Sequence, residues 1–191
     1  SLIDISVYHP CSDTSLIIAL HFKLLKFVAI GAKKSEYVQF YCEAGELSSD
    51  LEQSSSSKRR KNDNYDEDMD EEITIQNKKR LRALFAKYCQ QVEEQTNSLI
   101  NFERPLPHQI FTANPNRSSS EISISENYFI SVIDWPPFIL NLNEIELVYF
   151  ERDIEGLTTC DMAIIFKDYY RKVTFLRSIL KEHMHLVQTT L

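Results

Sequence analysis

The sequence predicts a mostly-β chain with α, arranged as two successive runs of antiparallel strands that each end in a helix. Three observations carry this prediction. Short stretches alternate apolar and polar residues with a period of two, as half-buried strands do. Two longer stretches, at 70–97 and at the C-terminal end, repeat apolar residues at three- and four-residue steps, as amphipathic helices do. Between the first strands and the first helix lies a segment with no apolar periodicity at all.

Residues 1–46 read as strands at 2–7, 16–22, 27–30 and 37–41. Lys33-Lys34, just after Ile30-Gly31, falls at a turn between two of them. Residues 48–72 read as a linker: 54–57 are all serine, Lys58-Arg59-Arg60-Lys61 is basic, and seven of the ten residues 63–72 are acidic. Such a composition predicts a solvated loop. The helix at 70–97 follows, with Ile73, Asn77, Leu81, Leu84, Phe85, Tyr88, Val92 and Leu99 along one stripe. Its acidic first turns favour the helix dipole, and Lys78, Lys79, Arg80 and Arg82 occupy its middle. These features divide the chain into a first part, 1–98, and a second part, 99–191.

In the second part, strands are expected at 128–133 and 138–142, joined by Trp135-Pro136-Pro137, which has no ladder donors at the prolines. The next strand places Ile145, Leu147 and Tyr149 on one face and Glu144, Glu146 and Val148 on the other. Gly156 marks a turn within 153–159, residues 160–166 form a nearly continuous apolar strand, and Val173 and Phe175 begin one more. Leu176, Ile179, Leu180, Met184, Val187 and Leu191 form the closing helical stripe, its first residues overlapping the last strand. Antiparallel strands closed by an amphipathic helix are the architecture of a pleckstrin-homology-like barrel.

Composition excludes several function classes. The chain has 191 residues, is 43% hydrophobic and carries a formal charge of −7. A chain whose main partner is DNA needs lysine and arginine in excess, so this balance points to a basic partner. The four cysteines, Cys11, Cys42, Cys89 and Cys160, are far apart and form no C-x-x-C pair; they read as reduced, buried, structural residues. The N-terminus lacks the basic-then-apolar pattern of a signal peptide, and no stretch approaches the ~20 apolar residues of a membrane span. An intracellular, reducing compartment is the expectation. Only Gly31, Gly45 and Gly156 are present, so no phosphate loop or dinucleotide fingerprint exists. No G-x-S-x-G occurs, His183 and His185 point apart on a helix, and His9, His21 and His108 lack ligand partners nearby in sequence. No catalytic residue, cofactor or metal is expected.

Four constellations are candidates for binding. Glu144, Glu146, Glu151, Asp153 and Glu155, with Arg152 among them, form an acidic surface able to pair with arginine and lysine; the plainer reading is a solvated strand face. Lys167, Arg171 and Lys172 offer the opposite sign, toward DNA or an acidic tail. Lys33 and Lys34 resemble the basic inter-strand loops that bind phosphoinositides, against the plainer reading of an exposed turn. In the second part the corresponding loop, 105–120, offers only His108 and Arg117, too few donors for a phosphorylated headgroup. Lys58 to Lys61 has the form of a nuclear import signal. A calcium loop starting at Asp66 fails at Glu71, where glycine is needed, and at Asn77, where glutamate is needed; the acidic run is otherwise a solvated loop or a competitor of DNA for a basic surface.

The ordered series WPPFILNLNEIELVYFER and DMAIIFKDYYRKVTF resembles the middle domain of the large subunit of the FACT histone-chaperone complex. Upstream, Pro10-Cys11, LIIALHF, Ile30-Gly31 with Lys33-Lys34, and YVQFYCEAGE match the same family in the same order. The resemblance implies tandem pleckstrin-homology-like barrels, each closed by a C-terminal helix, the first truncated at its N-terminus because the family has several strands before the Pro-Cys position. The serine-rich and acidic segment is longer than the family usual, and the family's peptidase-like domain is not included. The resemblance further implies a non-enzymatic, cofactor-free histone-binding module in the nucleus, on chromatin. It would hold core histones, the central tetramer pair foremost, during transcription, replication and repair. Nucleosomal DNA would be met indirectly, the smaller FACT subunit through regions outside this chain, and no membrane. The histone-binding candidates are then Lys33, Lys34, Glu144, Glu146, Glu151, Arg152, Asp153 and Glu155. The alternative is a pleckstrin-homology-like adaptor for phosphoinositide or peptide.

Overall fold

The computed structural model describes residues 2–12, 15–31, 33–44, 66–154 and 156–191, with side chains described from residue 71 onward in the helix that starts at Asp66. Most of the 48–72 linker, with the Lys58 to Lys61 run, and Glu155 lie outside the described residues. The chain divides into two compact units, Ser1–Phe102 and Glu103–Leu191.

The first unit is one sheet with a helix on it, its three long strands antiparallel. β1 (Ile3–His9), β2 (Ile17–Ile30), β3 (Lys33–Glu43) and the short β4 (Phe102–Glu103) stand in the order β3-β2-β1-β4. The two strands expected at 16–22 and 27–30 are one long strand, with a register shift against β3 between Lys23 and Val28. α1 (Asp66–Gln95) begins inside the expected linker, so residues 66–72 are helical. Its inward residues step by about one turn: Leu81, Phe85, Cys89 and Val92 meet Tyr8, Cys11, Ile18, Leu20, Ala44 and Phe102. The face is rotated from the predicted stripe. Cys89 is buried, whereas Leu84, Tyr88 and Leu99 are exposed.

Two of the five basic residues in α1, Lys78 and Arg82, hold the fold together. The Lys78 ammonium donates to the Ser12 carbonyl at 2.8 Å, and Arg82 Nε donates to the Cys11 carbonyl at 2.8 Å. Asn77 donates its amide to the Ala44 carbonyl at 3.3 Å, which explains a polar residue on the inner face. The helix ends in a left-handed cap: Asn97 has φ 49°, Ser98 N–H returns to Glu93 O at 2.8 Å and Asn97 N–H to Glu94 O at 3.2 Å.

The face of this sheet turned away from α1 carries a buried histidine. His21 lies opposite Val7 and Gln39 in register and is fully buried. Its ring nitrogens, and Nδ1 of His9 on the same face, find no hydrogen-bond partner within ordinary geometry among the described residues. Burial lowers the pKa of His21, with Gln39 pulling weakly the other way, and lowers that of His9 from 6.5 to about 4. The fold therefore favours the neutral rings. That stability is fully present above pH 6.5 and is lost as pH falls toward 4, by at most about 3 kcal/mol for His9. Urea midpoints should drop between pH 7 and pH 5, and His9→Phe should flatten the drop. An unchanged pH profile in the variant would assign the acid sensitivity elsewhere.

The second unit pairs two sheets. β5 (Ile110–Ala113), β6 (Ser120–Ile124), β7 (Tyr128–Ser131) and β8 (Phe138–Asn141) form one, in sequence order. β9 (Ile145–Glu151), β10 (Thr159–Phe166) and β11 (Thr174–Leu180) form the other, in the order β11-β10-β9. Period two sends Phe111, Ala113, Ile122, Ile124, Phe129 and Leu140 inward from the first sheet, against Cys160, Met162, Ile164, Phe166, Leu176 and Ile179 from the second. A 3-10 turn, Lys181–His183, leads into α2 (Met184–Thr190), whose Val187 completes the core.

The fold class is mostly β with α, as expected, but three details differ. First, the sheets do not close into a barrel. An isolated bridge, Asn114 with Arg177, ties the β5 and β11 corner, and β8 and β9 are the outermost strands of their sheets. In the first unit the described strands form a single open sheet. Second, the closing helix is shorter than the predicted stripe: Leu176, Ile179 and Leu180 belong to β11. A bulge there sets two residues, Arg177 and Ser178, against Asp161, with Ser178 at φ 57°. The bulge turns a step of two into a step of three, which imitates a helix in sequence. Third, β9 shows its faces the other way. A bulge where Phe166 meets Ile145 and Ile165 meets Leu147 shifts the parity, so Val148 and Phe150 join Ile145 on the core while Leu147 and Tyr149 face out.

Candidate functional site

Lys33 and Lys34 open β3 beside the Gly31 turn, paired with Ile30 and Ala29, and both are exposed. They are the first two residues of the strand rather than the turn itself. They belong to the first unit; the other candidates belong to the second.

In the second unit the acidic residues divide into two kinds. Glu144, in the 3-10 turn Leu142–Glu144, accepts from Arg171, whose guanidinium also lies 3.7 Å over the Phe166 ring. Asp153 pairs with Lys181 at 2.8 Å. These two charges are already answered within the unit. Glu146 and Glu151, near the two ends of β9, are exposed and have no ion pair among the described residues. Arg152 is spent internally, holding Asp161 Oδ1 at 2.6 Å from a left-handed backbone at φ 57°.

Asp161 is a residue that the sequence reading missed. It is buried on β10 opposite Glu151, and it accepts both Arg152 and the Ser178 N–H, the latter at 2.9 Å. Burial alone would push its carboxyl up; the Ser178 N–H and the Arg152 and Arg177 guanidiniums outweigh that and hold it below its ordinary value. The recess of about 590 Å³ around it is lined by Asn114, Glu151, Arg152, Phe175 and Arg177. Its charges nearly cancel, so it favours neither an anion nor a cation. The one sequence signal for Asp161 is a lone carboxylate within an apolar strand.

Beside the recess the outer face of β9-β10-β11 is apolar. Leu147 lies across from Ile165, and Tyr149 and Phe175 flank Ala163. Leu147 and Tyr149 are 56% and 61% exposed. The β10 to β11 turn is fixed by Asp168, which accepts the Tyr170 N–H at 3.0 Å, and it displays Tyr169 and Tyr170 in solvent. Of the basic trio beside it, Lys167 donates to the Asn143 carbonyl at 2.9 Å and Arg171 is paired with Glu144, leaving Lys172 at the tip. In the first unit an apolar groove of about 390 Å³ runs between α1 and the sheet, lined by Leu20, Phe22, Phe40, Leu84, Phe85 and Tyr88.

The four cysteines are free thiols; Cys11, Cys89 and Cys160 are buried, and burial raises the pKa of Cys160. No group of three or more His, Cys, Asp or Glu among the described residues could hold a metal ion. No described helix is long and apolar enough to cross a membrane.

Comparison with known proteins bears on both units. Residues 1–92 match the family model described as "FACT complex subunit SPT16 PH-like domain", and residues 111–189 match "Histone chaperone Rttp106-like, middle domain". The chain is 35% identical over 185 residues to the FACT complex subunit spt-16 of Caenorhabditis briggsae, covering 93% of this chain and 17% of that protein. It is 31% identical over 174 residues to FACT complex subunit SPT16 of Arabidopsis thaliana (88% and 16%). With that of Saccharomyces cerevisiae it shares 28% over 176 residues (91% and 17%). The chain thus spans less than a fifth of the length of these curated relatives. The resemblance read from the Trp-Pro-Pro block and the strands upstream is borne out: the chain belongs to the SPT16 family of FACT complex subunits, carrying its PH-like domain followed by an Rttp106-like histone-chaperone middle domain.

Proposed function

We propose that this chain is a histone-binding part of a FACT-type histone chaperone. The observation that carries the reading is the succession of the two matched domains along one chain, the second described by its family as a histone chaperone's middle domain. The relatives named above are FACT complex subunits. In this reading the chain holds core histones, the central tetramer pair foremost, while DNA contacts break and re-form in transcription, replication and repair. It works on chromatin in the nucleus, without catalysis, and the smaller FACT subunit is engaged by other parts of the longer protein. The two functional modules divide near residue 98.

The charge of −7 suits a basic partner, and Glu146 and Glu151 are the acidic candidates with charge left to offer. Glu144, Arg152 and Asp153 are committed inside the unit, and so serve histones less directly. The test is a titration of this chain against purified histone tetramer and histone dimer at two salt concentrations, with phosphoinositide vesicles as a control. Saturable tetramer binding that survives moderate salt, with no vesicle binding, is expected. Joint replacement Glu146→Lys and Glu151→Lys should weaken it about tenfold or more. Absence of histone binding by the folded chain would end the reading, and vesicle binding in its place would favour a lipid adaptor.

A further inference from the structure

We propose that β9 is an acceptor edge to which a partner adds an extended strand, one with an apolar centre and basic residues at its ends. The inference deepens the histone-binding reading by naming a docking mode, and its experiment separates the two.

The backbone supplies the first argument. β9 pairs with β10 on one side and has no strand on the other among the described residues. A strand of this length with one free side presents a row of unpaired N–H and C=O groups. Soluble proteins usually blunt such an edge with proline, inward-pointing charge or a cover. β9 carries no proline, and its outward side chains include Leu147 and Tyr149. Among the described residues no strand pairing closes the corner beside it either. β8 ends the other sheet of the unit, only the turn Leu142–Glu144 joins it to β9, and the opposite corner is the one tied by Asn114 and Arg177. An added strand therefore has both a hydrogen-bonding edge and a place to lie.

The side chains say what that strand would be. Period two on an added strand would lay alternate residues beside Leu147 and Tyr149, on a face already continued by Ile165 and Phe175. Apolar, β-branched residues suit those positions. Charge then fixes the ends. Glu144 and Asp153 are neutralised by Arg171 and Lys181, whereas Glu146 and Glu151 have no ion pair among the described residues. They stand five residues apart on β9, roughly 17 Å along an extended chain. Glu146 is the extra residue of the bulge between Ile145 and Leu147, so the complement is a segment with a basic side chain near each end and apolar residues between them. Backbone bonds supply affinity in this mode, and the two carboxylates set register.

The experiment uses the whole chain and a synthetic valine-threonine peptide with a lysine near each end. Amide hydrogen exchange should slow at alternate residues of β9 when the peptide is added. Methylating the peptide's central backbone nitrogens keeps its charge and apolar surface but removes donors, and should abolish both binding and protection. Exchanging its lysines for glutamates should do the same. Leu147→Lys and Tyr149→Lys, exposed positions whose replacement leaves the unfolding midpoint near wild type, should each weaken binding about tenfold. Equal binding of the methylated peptide, or no slowing at β9, overturns the proposal. If histones bind the chain while β9 exchange is unchanged, the docking mode is wrong and the chaperone reading stands. Histone binding that slows β9 exchange and is lost in Leu147→Lys supports both.

Discussion

Phe129→Ala should lower the stability of the second unit by about 3–5 kcal/mol, the range for truncating a fully enclosed aromatic ring. Phe129 is fully buried, and its ring meets that of Phe111 edge-on at 5.4 Å and 74°. Its cross-strand partners are Ile124 on β6 and Leu140 on β8, both in the same core. The deleted ring therefore leaves a cavity walled by three strands of one sheet, which cannot collapse without moving the opposite sheet. Phe129→Leu keeps most of the volume and should cost clearly less. Urea unfolding followed through amide exchange of β10 measures both. A loss under about 1 kcal/mol for Phe129→Ala would mean that this core is not packed as described.

The second large effect is expected at Asp161. Asp161→Ala removes the acceptor of the Ser178 N–H and the partner of Arg152 together, and should cost about 2–4 kcal/mol. The larger share belongs to Ser178, because Arg152 is about half exposed and water can replace its partner. Asp161→Asn keeps an acceptor for Ser178 and should recover about half of the loss. The pH dependence separates charge from packing. The folded carboxyl sits below its ordinary 3.8, so its stabilisation is present above that value and is lost as pH falls through the folded value. The advantage of wild type over Asp161→Asn should therefore be level near neutrality and shrink below about pH 4. An advantage that persists unchanged in acid would show that the carboxylate charge contributes nothing and that only shape matters.

These two residues mark what could be read in advance. Phe129 was legible as a strand residue: it lies in the largely apolar segment 128–133, and pairing of that strand with β6 and β8 sends its ring inward. Ile164 and Phe166 were legible from the nearly continuous apolar run 160–166, and Leu81, Phe85 and Val92 from the helical stripe along α1. The order of elements, the helix after each strand run, and the family itself followed from local pattern in the same way. Asp161 was not legible. Its importance comes from a bulge on a neighbouring strand about seventeen residues away in sequence, and a bulge leaves no local mark except a broken period.

Broken periods account for the other departures as well. At Ser178 the extra residue made β11 look like the first turn of a helix, and so shortened the real one to Met184–Thr190. At Ile145 it split the face on which Ile145, Leu147 and Tyr149 were read together, which left Leu147 and Tyr149 at the surface and created the face proposed for docking. Along α1, packing on the sheet buries Cys89 and leaves Leu84 and Tyr88 exposed, although all three lie within the range that a helical stripe permits. Among the acidic candidates, partners distant in sequence decided which charges remain: Arg171 took Glu144 and Lys181 took Asp153, while Glu146 and Glu151 were left.

The sequence by itself determined the class of fold, the succession of strands and helices, the core alternation and the family, because each is written in periodicity or in an ordered series of short motifs. Only the tertiary structure decided which face of β9 meets water, which charges are spent within the unit and where the sheet stays open. Those depend on register between strands, and register is set by contacts that no local stretch of sequence contains.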